Sequence, residues 1–135
     1  GVTYKTIKDT FIFLILNYFS KFSKKLKKKT IDINTKAIEK ALYRYNVDIL
    51  THPGDKIPVD IERVAKAAEE TNTMLEINNS HGHLNIEEIK KVSKYNVKFI
   101  IGSDAHKVEN VGNCDEGIKR AREAGLDLKR IVNIR

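Results

Sequence analysis

Val97-Lys98-Phe99-Ile100-Ile101-Gly102-Ser103-Asp104-Ala105-His106 decides how this chain is read, because a short apolar run of strand length breaks at a glycine into a carboxylate and an imidazole two residues apart. The same pattern occurs twice upstream. Val47 to Leu50 runs into Thr51-His52-Pro53-Gly54-Asp55-Lys56, and Met74 to Ile77 runs into Asn78-Asn79-Ser80-His81-Gly82-His83. Helical patterns follow each run. Asp60 opens the first, with Ile61, Val64, Ala65 and Ala68 on one face, and Asn85 with Glu88 opens the second as a capping box. The third runs from Cys114 to Ala124 and stops at Gly125. Strands about 25 residues apart with a helix between them predict an α/β architecture with a parallel sheet joined by right-handed crossovers. Ile131 to Ile134 is expected to add one more short strand.

Upstream of these repeats the pattern changes. Tyr4, Ile7, Phe11, Leu14, Tyr18, Phe22 and Leu26 recur at helical spacing, which predicts a long helix. A second helix is expected from Thr35 to Tyr45, with Ala37, Ile38, Ala41 and Leu42 on one face and Asn34 as its cap. The chain therefore divides into a lysine-rich helical segment, 1–45, and the β/α repeats, 46–135, within one domain. At 135 residues it is too short for two ordinary domains.

Composition, 41% hydrophobic and 32% charged, is that of a folded globular chain and not of a disordered or fibrous one. The net charge of +7 is local, since Lys21, Lys24, Lys25, Lys27, Lys28 and Lys29 account for most of it. They read as the solvated face of a helix or as a basic surface for phosphates. No aromatic platform accompanies them, so nucleic-acid binding is the weaker expectation. Phe11 to Leu16 is the most apolar stretch and falls far short of the roughly 20 residues that cross a bilayer, so no membrane partner is expected. A single cysteine, Cys114, rules out an internal disulfide and suggests a cytoplasmic setting. Gly1-Val2-Thr3-Tyr4 opens without a methionine, and the chain is expected to begin partway through a longer one. No glycine-rich phosphate loop or Gly-x-Ser-x-Gly elbow is present, so nucleotide-cofactor and serine-hydrolase readings lack their key features.

Chemistry concentrates where the strands end, because in parallel β/α folds the loops there open into a shared crevice. All four histidines lie at these ends. Imidazole and carboxylate are the usual donors for zinc, manganese and iron, so Asp104, His106 and His52 form a candidate metal set. Each taken alone has a plainer reading: Asp104 as a loop cap, His106 as a surface group, His52 as part of the Pro-Gly turn. Glu76 reads equally as a ligand or general base and as a group hydrogen-bonding behind the ligands. His81 and His83 are open to metal binding, to contact with a substrate phosphate, or to neither. Lys56 is placed to attract an anion, and Asn78 is expected with Lys56, His81 and His83 to contact the substrate.

Four stretches in order, Asp48-Ile49-Leu50-Thr51-His52-Pro53-Gly54, Leu75-Glu76-Ile77-Asn78-Asn79, Gly102-Ser103-Asp104-Ala105-His106 and Arg130-Ile131-Val132-Asn133, resemble the PHP (polymerase and histidinol phosphatase) superfamily and its small bacterial phosphatase-like proteins. The resemblance covers about two thirds of the chain. It implies the carboxy-terminal portion of a distorted seven-stranded β/α barrel whose trinuclear metal site hydrolyses phosphate esters of small molecules. His52, Asp104 and His106 then look like ligands of three different metals, with Asn78 and Glu76 as shaping groups. The family's opening His-x-His strand and bridging glutamate have no counterpart here. The resemblance therefore implies a phosphoesterase fragment that is incomplete alone and is completed by the missing half or a second chain. The alternative is a catalytically silent binding or assembly domain.

Overall fold

The computed structural model describes residues 12, 14, 15, 18 and 24–134. Most of the helix expected from Tyr4 to Leu26 lies outside them, although Ile12, Leu14, Ile15 and Tyr18 are helical. The first element described in full is one helix, α1 (Lys24–Arg44), and it corrects the expected break at Asn34. Threonine and asparagine compete with helix when their side chains turn back on the backbone, but here each finds a partner that leaves the helix intact. Thr30 and Thr35 donate to the carbonyls of Leu26 (2.9 Å) and Ile31 (2.7 Å) one turn earlier. The buried Asn34 amide donates across to Pro58 O at 2.8 Å. Instead of capping a helix, Asn34 pins the middle of one to the loop that enters the next.

That next helix, α2 (Ile61–Thr71), begins as expected, with the Asp60 carboxylate accepting from the amides of Glu62 and Arg63. Arg63 then reaches back to α1, donating to Glu39 through Nε and Nη2 and to Asp32 through Nη1. Lys36 and this guanidinium hold the Asp32 carboxyl below its usual range.

The sheet has the order β1 (Ile49–Leu50), β2 (Met74–Asn78), β3 (Phe99–Gly102), all parallel. Between them lie α2 and α3 (Ile86–Val92), and α4 (Asp115–Glu123) follows β3. α3 carries the expected capping box between Asn85 and Glu88. Because side chains alternate along a strand, Leu75, Ile77, Phe99 and Ile101 enter the apolar core with Val64, Ala68, Ile89 and Val92. Burying each large apolar side chain contributes roughly 1.5–3 kcal/mol. Glu76 and Asn78 occupy the opposite face of β2 and are buried there as well.

The last expected strand is corrected too. Ile131 makes only an isolated parallel bridge to Phe99, and Val132 N–H donates to Phe99 O at 2.9 Å. Beyond that the Asn133 side chain substitutes for a strand. Its Oδ1 accepts from Ile101 N–H (2.9 Å) and its Nδ2 donates to Ile101 O (2.8 Å), which occupies the outer edge of β3. Among the described residues, β1 has no neighbour on its outer side.

Candidate metal centre

Both polar side chains of the buried face of β2 are used to organise the loops on either side of it. The Glu76 carboxylate accepts from His52 N–H at 2.7 Å, tying the end of β1 to β2. It also lies so close over β3 that a Cβ at Gly102 would stand 2.0 Å from Glu76 Oε1. Asn78 works on the other flank. Its Nδ2 donates to Asp104 Oδ2 (3.2 Å), while its Oδ1 accepts from Ser80 N–H (3.1 Å) and His81 N–H (2.8 Å). With both ends of its amide engaged, Asn78 orients neighbours and has little left for a substrate. Arg120 of α4 secures the same loop by donating to Asn78 O and Leu84 O.

His52 and Asp104 both adopt positive φ, 28° and 45°. Left-handed backbone is uncommon for residues other than glycine and concentrates where function demands it. Among the described residues the third such residue, Asn72, merely ends α2. The strain thus falls on two of the three residues expected to bind metal.

His81, Asp104 and His106 bring donor atoms within 4.8 Å of one another. His81 Nε2 stands 3.0 Å from Asp104 Oδ2, and His106 Nε2 stands 3.9 Å from Asp104 Oδ1. The two imidazoles meet edge to face, with centroids 6.5 Å apart. Asn78 holds the Asp104 carboxyl below its usual range against a smaller opposing effect of burial, and His81, His106 and His52 add their attraction. A carboxylate set against two imidazoles is a donor set that suits a divalent transition metal. His106 is 80% exposed and His81 51%, so an ion has free access.

The remaining candidates separate from this group. His52 is half-buried and near enough to influence Asp104, though it is not one of the three clustered donors. His83 turns away, its Nε2 lying 3.0 Å from Pro53 O and 3.8 Å from Glu88 Oε2, where it props the loop that carries His52. Lys56 is exposed on that loop. The grouping of His81 with Asp104 depends on the turn that Asn78 builds, a signal that the alternation of β2 offers only once Asn78 is known to face Asp104. Among the described residues no helix is long and apolar enough to cross a membrane.

No protein-family model matches the chain. It is similar to a probable phosphatase of Thermoanaerobacter sp., 40% identical over 112 residues that cover 76% of this chain and 46% of that protein. A probable phosphatase of Clostridium acetobutylicum is 36% identical over 115 residues, covering 77% and 46%. The DNA polymerase/3'-5' exonuclease PolX of Bacillus subtilis is 30% identical over 109 residues, covering 74% of this chain and 19% of that protein. The chain spans less than half the length of the probable phosphatases it matches.

Proposed function

This chain is a homologue of the small PHP-like phosphatases, and on that premise we propose that it carries part of a divalent-metal-dependent phosphoesterase centre. The observation that carries the reading is the clustering of Asp104 and His106 with His81 at the ends of parallel strands, with His52 near enough to influence Asp104. In this reading His52, Asp104 and His106 hold zinc, manganese or iron, and Asp104 is presented by Asn78. Glu76 holds the His52 loop through its backbone amide. Lys56 draws in the phosphate of a small-molecule ester, and His81 stands on the same rim, while His83 props the loop that carries His52. Bound metal would polarise a phosphoryl oxygen and lower the pKa of a water, which is what phosphate-ester hydrolysis in the cytoplasm needs.

The strands belong to a seven-stranded β/α barrel, and turnover requires the rest of it, from a longer chain or a second one. A catalytically silent binding or assembly domain is the second reading. Elemental analysis of the purified chain is expected to find near-stoichiometric divalent metal, which the combined variant His52→Ala, Asp104→Ala, His106→Ala loses. Hydrolysis of phosphate monoesters is expected only when the amino-terminal half of a relative is supplied in trans. Equal metal in the wild type and the triple variant would refute the ligand assignment. Metal without turnover in the completed protein would favour the silent domain.

A further inference from the structure

We propose that the lysine-rich start of α1, with the exposed apolar helical residues that precede it in the chain, docks on an anionic lipid surface. A short apolar stretch excludes crossing a bilayer, but a helix that lies in the interface needs no spanning length. This surface is separate from the metal centre and does not depend on its chemistry.

Lys24, Lys25, Lys27, Lys28 and Lys29 are all exposed, and no Asp or Glu occurs between Asp9 and Asp32. The next two carboxylates, Asp32 and Glu39, are engaged by Lys36 and Arg63. Among the described residues none of the five lysines has a carboxylate partner. Lys24 stands three and four residues from Lys27 and Lys28, and Lys25 from Lys28 and Lys29, spacings at which like charges repel on a helix. An anionic surface relieves that repulsion, and each lysine held near one adds roughly fivefold in affinity.

The cluster also projects from the body of the protein. α1 leads into the start of β1, with Ile49 five residues after Arg44, so its lysine end lies toward the carboxy ends of the strands. Its middle is fixed to the loop beyond β1, where Asn34 Nδ2 donates to Pro58 O and Thr35 Oγ1 accepts from Asp60 N–H. Lys29 and Lys24 lie about 7 and 15 Å farther along the helix axis. A surface reached there faces the same end of the molecule as Asp104 and His106.

Charge alone would suit any polyanion; the apolar residues favour lipid. Ile12, Leu14 and Ile15 are helical and exposed, Leu14 by 60%. Ile12 and Ile15 are a turn apart with Leu14 beside them, so the three occupy one side of a helix. Nucleic acid would offer the lysines its phosphates, but it recruits aromatic stacking rather than aliphatic side chains when it lies along a basic surface. The boundary between headgroups and acyl chains accepts both kinds of residue.

Sedimentation of the whole chain with lipid vesicles tests this. The chain is expected to bind vesicles of equal parts phosphatidylcholine and phosphatidylglycerol about 100-fold more tightly than phosphatidylcholine alone, and salt is expected to release it. Replacing the five lysines with glutamine, which forms helix as well as lysine does, is expected to cost about 100-fold. The sequence contains no tryptophan, so Leu14→Trp puts a single reporter among the apolar residues and keeps the position apolar. The emission of that variant is expected to move to shorter wavelength on anionic vesicles. Leu14→Gln combined with Ile15→Gln is expected to lose about tenfold in affinity with the charge unchanged. No binding to the anionic vesicles overturns the inference, and so does binding that leaves the tryptophan emission unmoved or the double glutamine variant unaffected. Tighter binding to a DNA duplex than to the vesicles, with the double variant again unaffected, overturns it in favour of nucleic acid.

Discussion

Replacing Arg130 with methionine is expected to lower folding stability by about 3 kcal/mol, read as a shift in urea midpoint with unchanged slope. The guanidinium donates through Nε and Nη2 to Val97 O, through Nη1 to Ser93 O and through Nη2 to Tyr95 O. These carbonyls belong to the end of α3 and the approach to β3. A single side chain therefore sets the turn that aims Phe99 to Gly102 at the site. The same group lies over the Phe99 ring, 5.2 Å from its centroid. Hydrogen bonds from charged donors are worth roughly 1.5–3 kcal/mol each, but the three carbonyls are only partly shielded, so the sum is well below additive. Arg130→Lys separates charge from shape. An ammonium cannot serve three carbonyls in a fixed fork, so lysine is expected to recover less than half of the loss. Full recovery by lysine would show that the charge alone matters.

Gly102→Ala is expected to cost about 1–3 kcal/mol and, more tellingly, to move the loop of His52, which lies on a different strand. The new Cβ would stand 2.0 Å from Glu76 Oε1 and 3.0 Å from its Cδ. Glu76 has to yield, and its other oxygen is the acceptor for His52 N–H. Pushing the carboxylate away leaves that amide without its partner. The amide resonance of His52 is expected to shift in a heteronuclear NMR spectrum, and denaturation should report the energetic loss. In a Glu76→Ala background the obstacle is gone, so adding Gly102→Ala should cost only a few tenths of a kcal/mol. An equal cost in both backgrounds would mean that the close contact with Glu76 is not why glycine occupies this position.

Much of the framework was legible because local signals and tertiary structure agree. Asp60 and Asn85 cap the helices they announce, and Gly125, at φ 74°, ends the helix it closes. Where the reading of the sequence failed, a distant residue had altered the local balance. Asn34 looks like a helix start until Pro58, far along the chain, takes its amide. Ile131 to Ile134 has the composition of a strand, yet the Asn133 side chain takes over the hydrogen bonds with Ile101 that strand backbone would have made. The site divides in the same way. Asp104 and His106 are marked by their spacing after β3, and His52 by its position after β1. His81 and His83 look equivalent in sequence, but Asn78 draws the backbone of one toward Asp104 while the ring of the other goes to Pro53. Which loop each histidine serves is a three-dimensional fact.

The Asn133 amide at the outer edge of β3 bears on how copies of this chain can associate. A sheet whose two rims both present main-chain donors and acceptors can grow without limit, each newcomer offering a rim to the next. Here one rim ends in a carboxamide that already holds both polar groups of Ile101, so a strand arriving there finds them occupied. Whatever lies against β1, strands can be added to this sheet from the β1 side and not beyond β3. Substituting Asn133 with a residue that lacks the carboxamide would free the main-chain groups of Ile101, while Val132 still holds the carbonyl of Phe99 on the same rim.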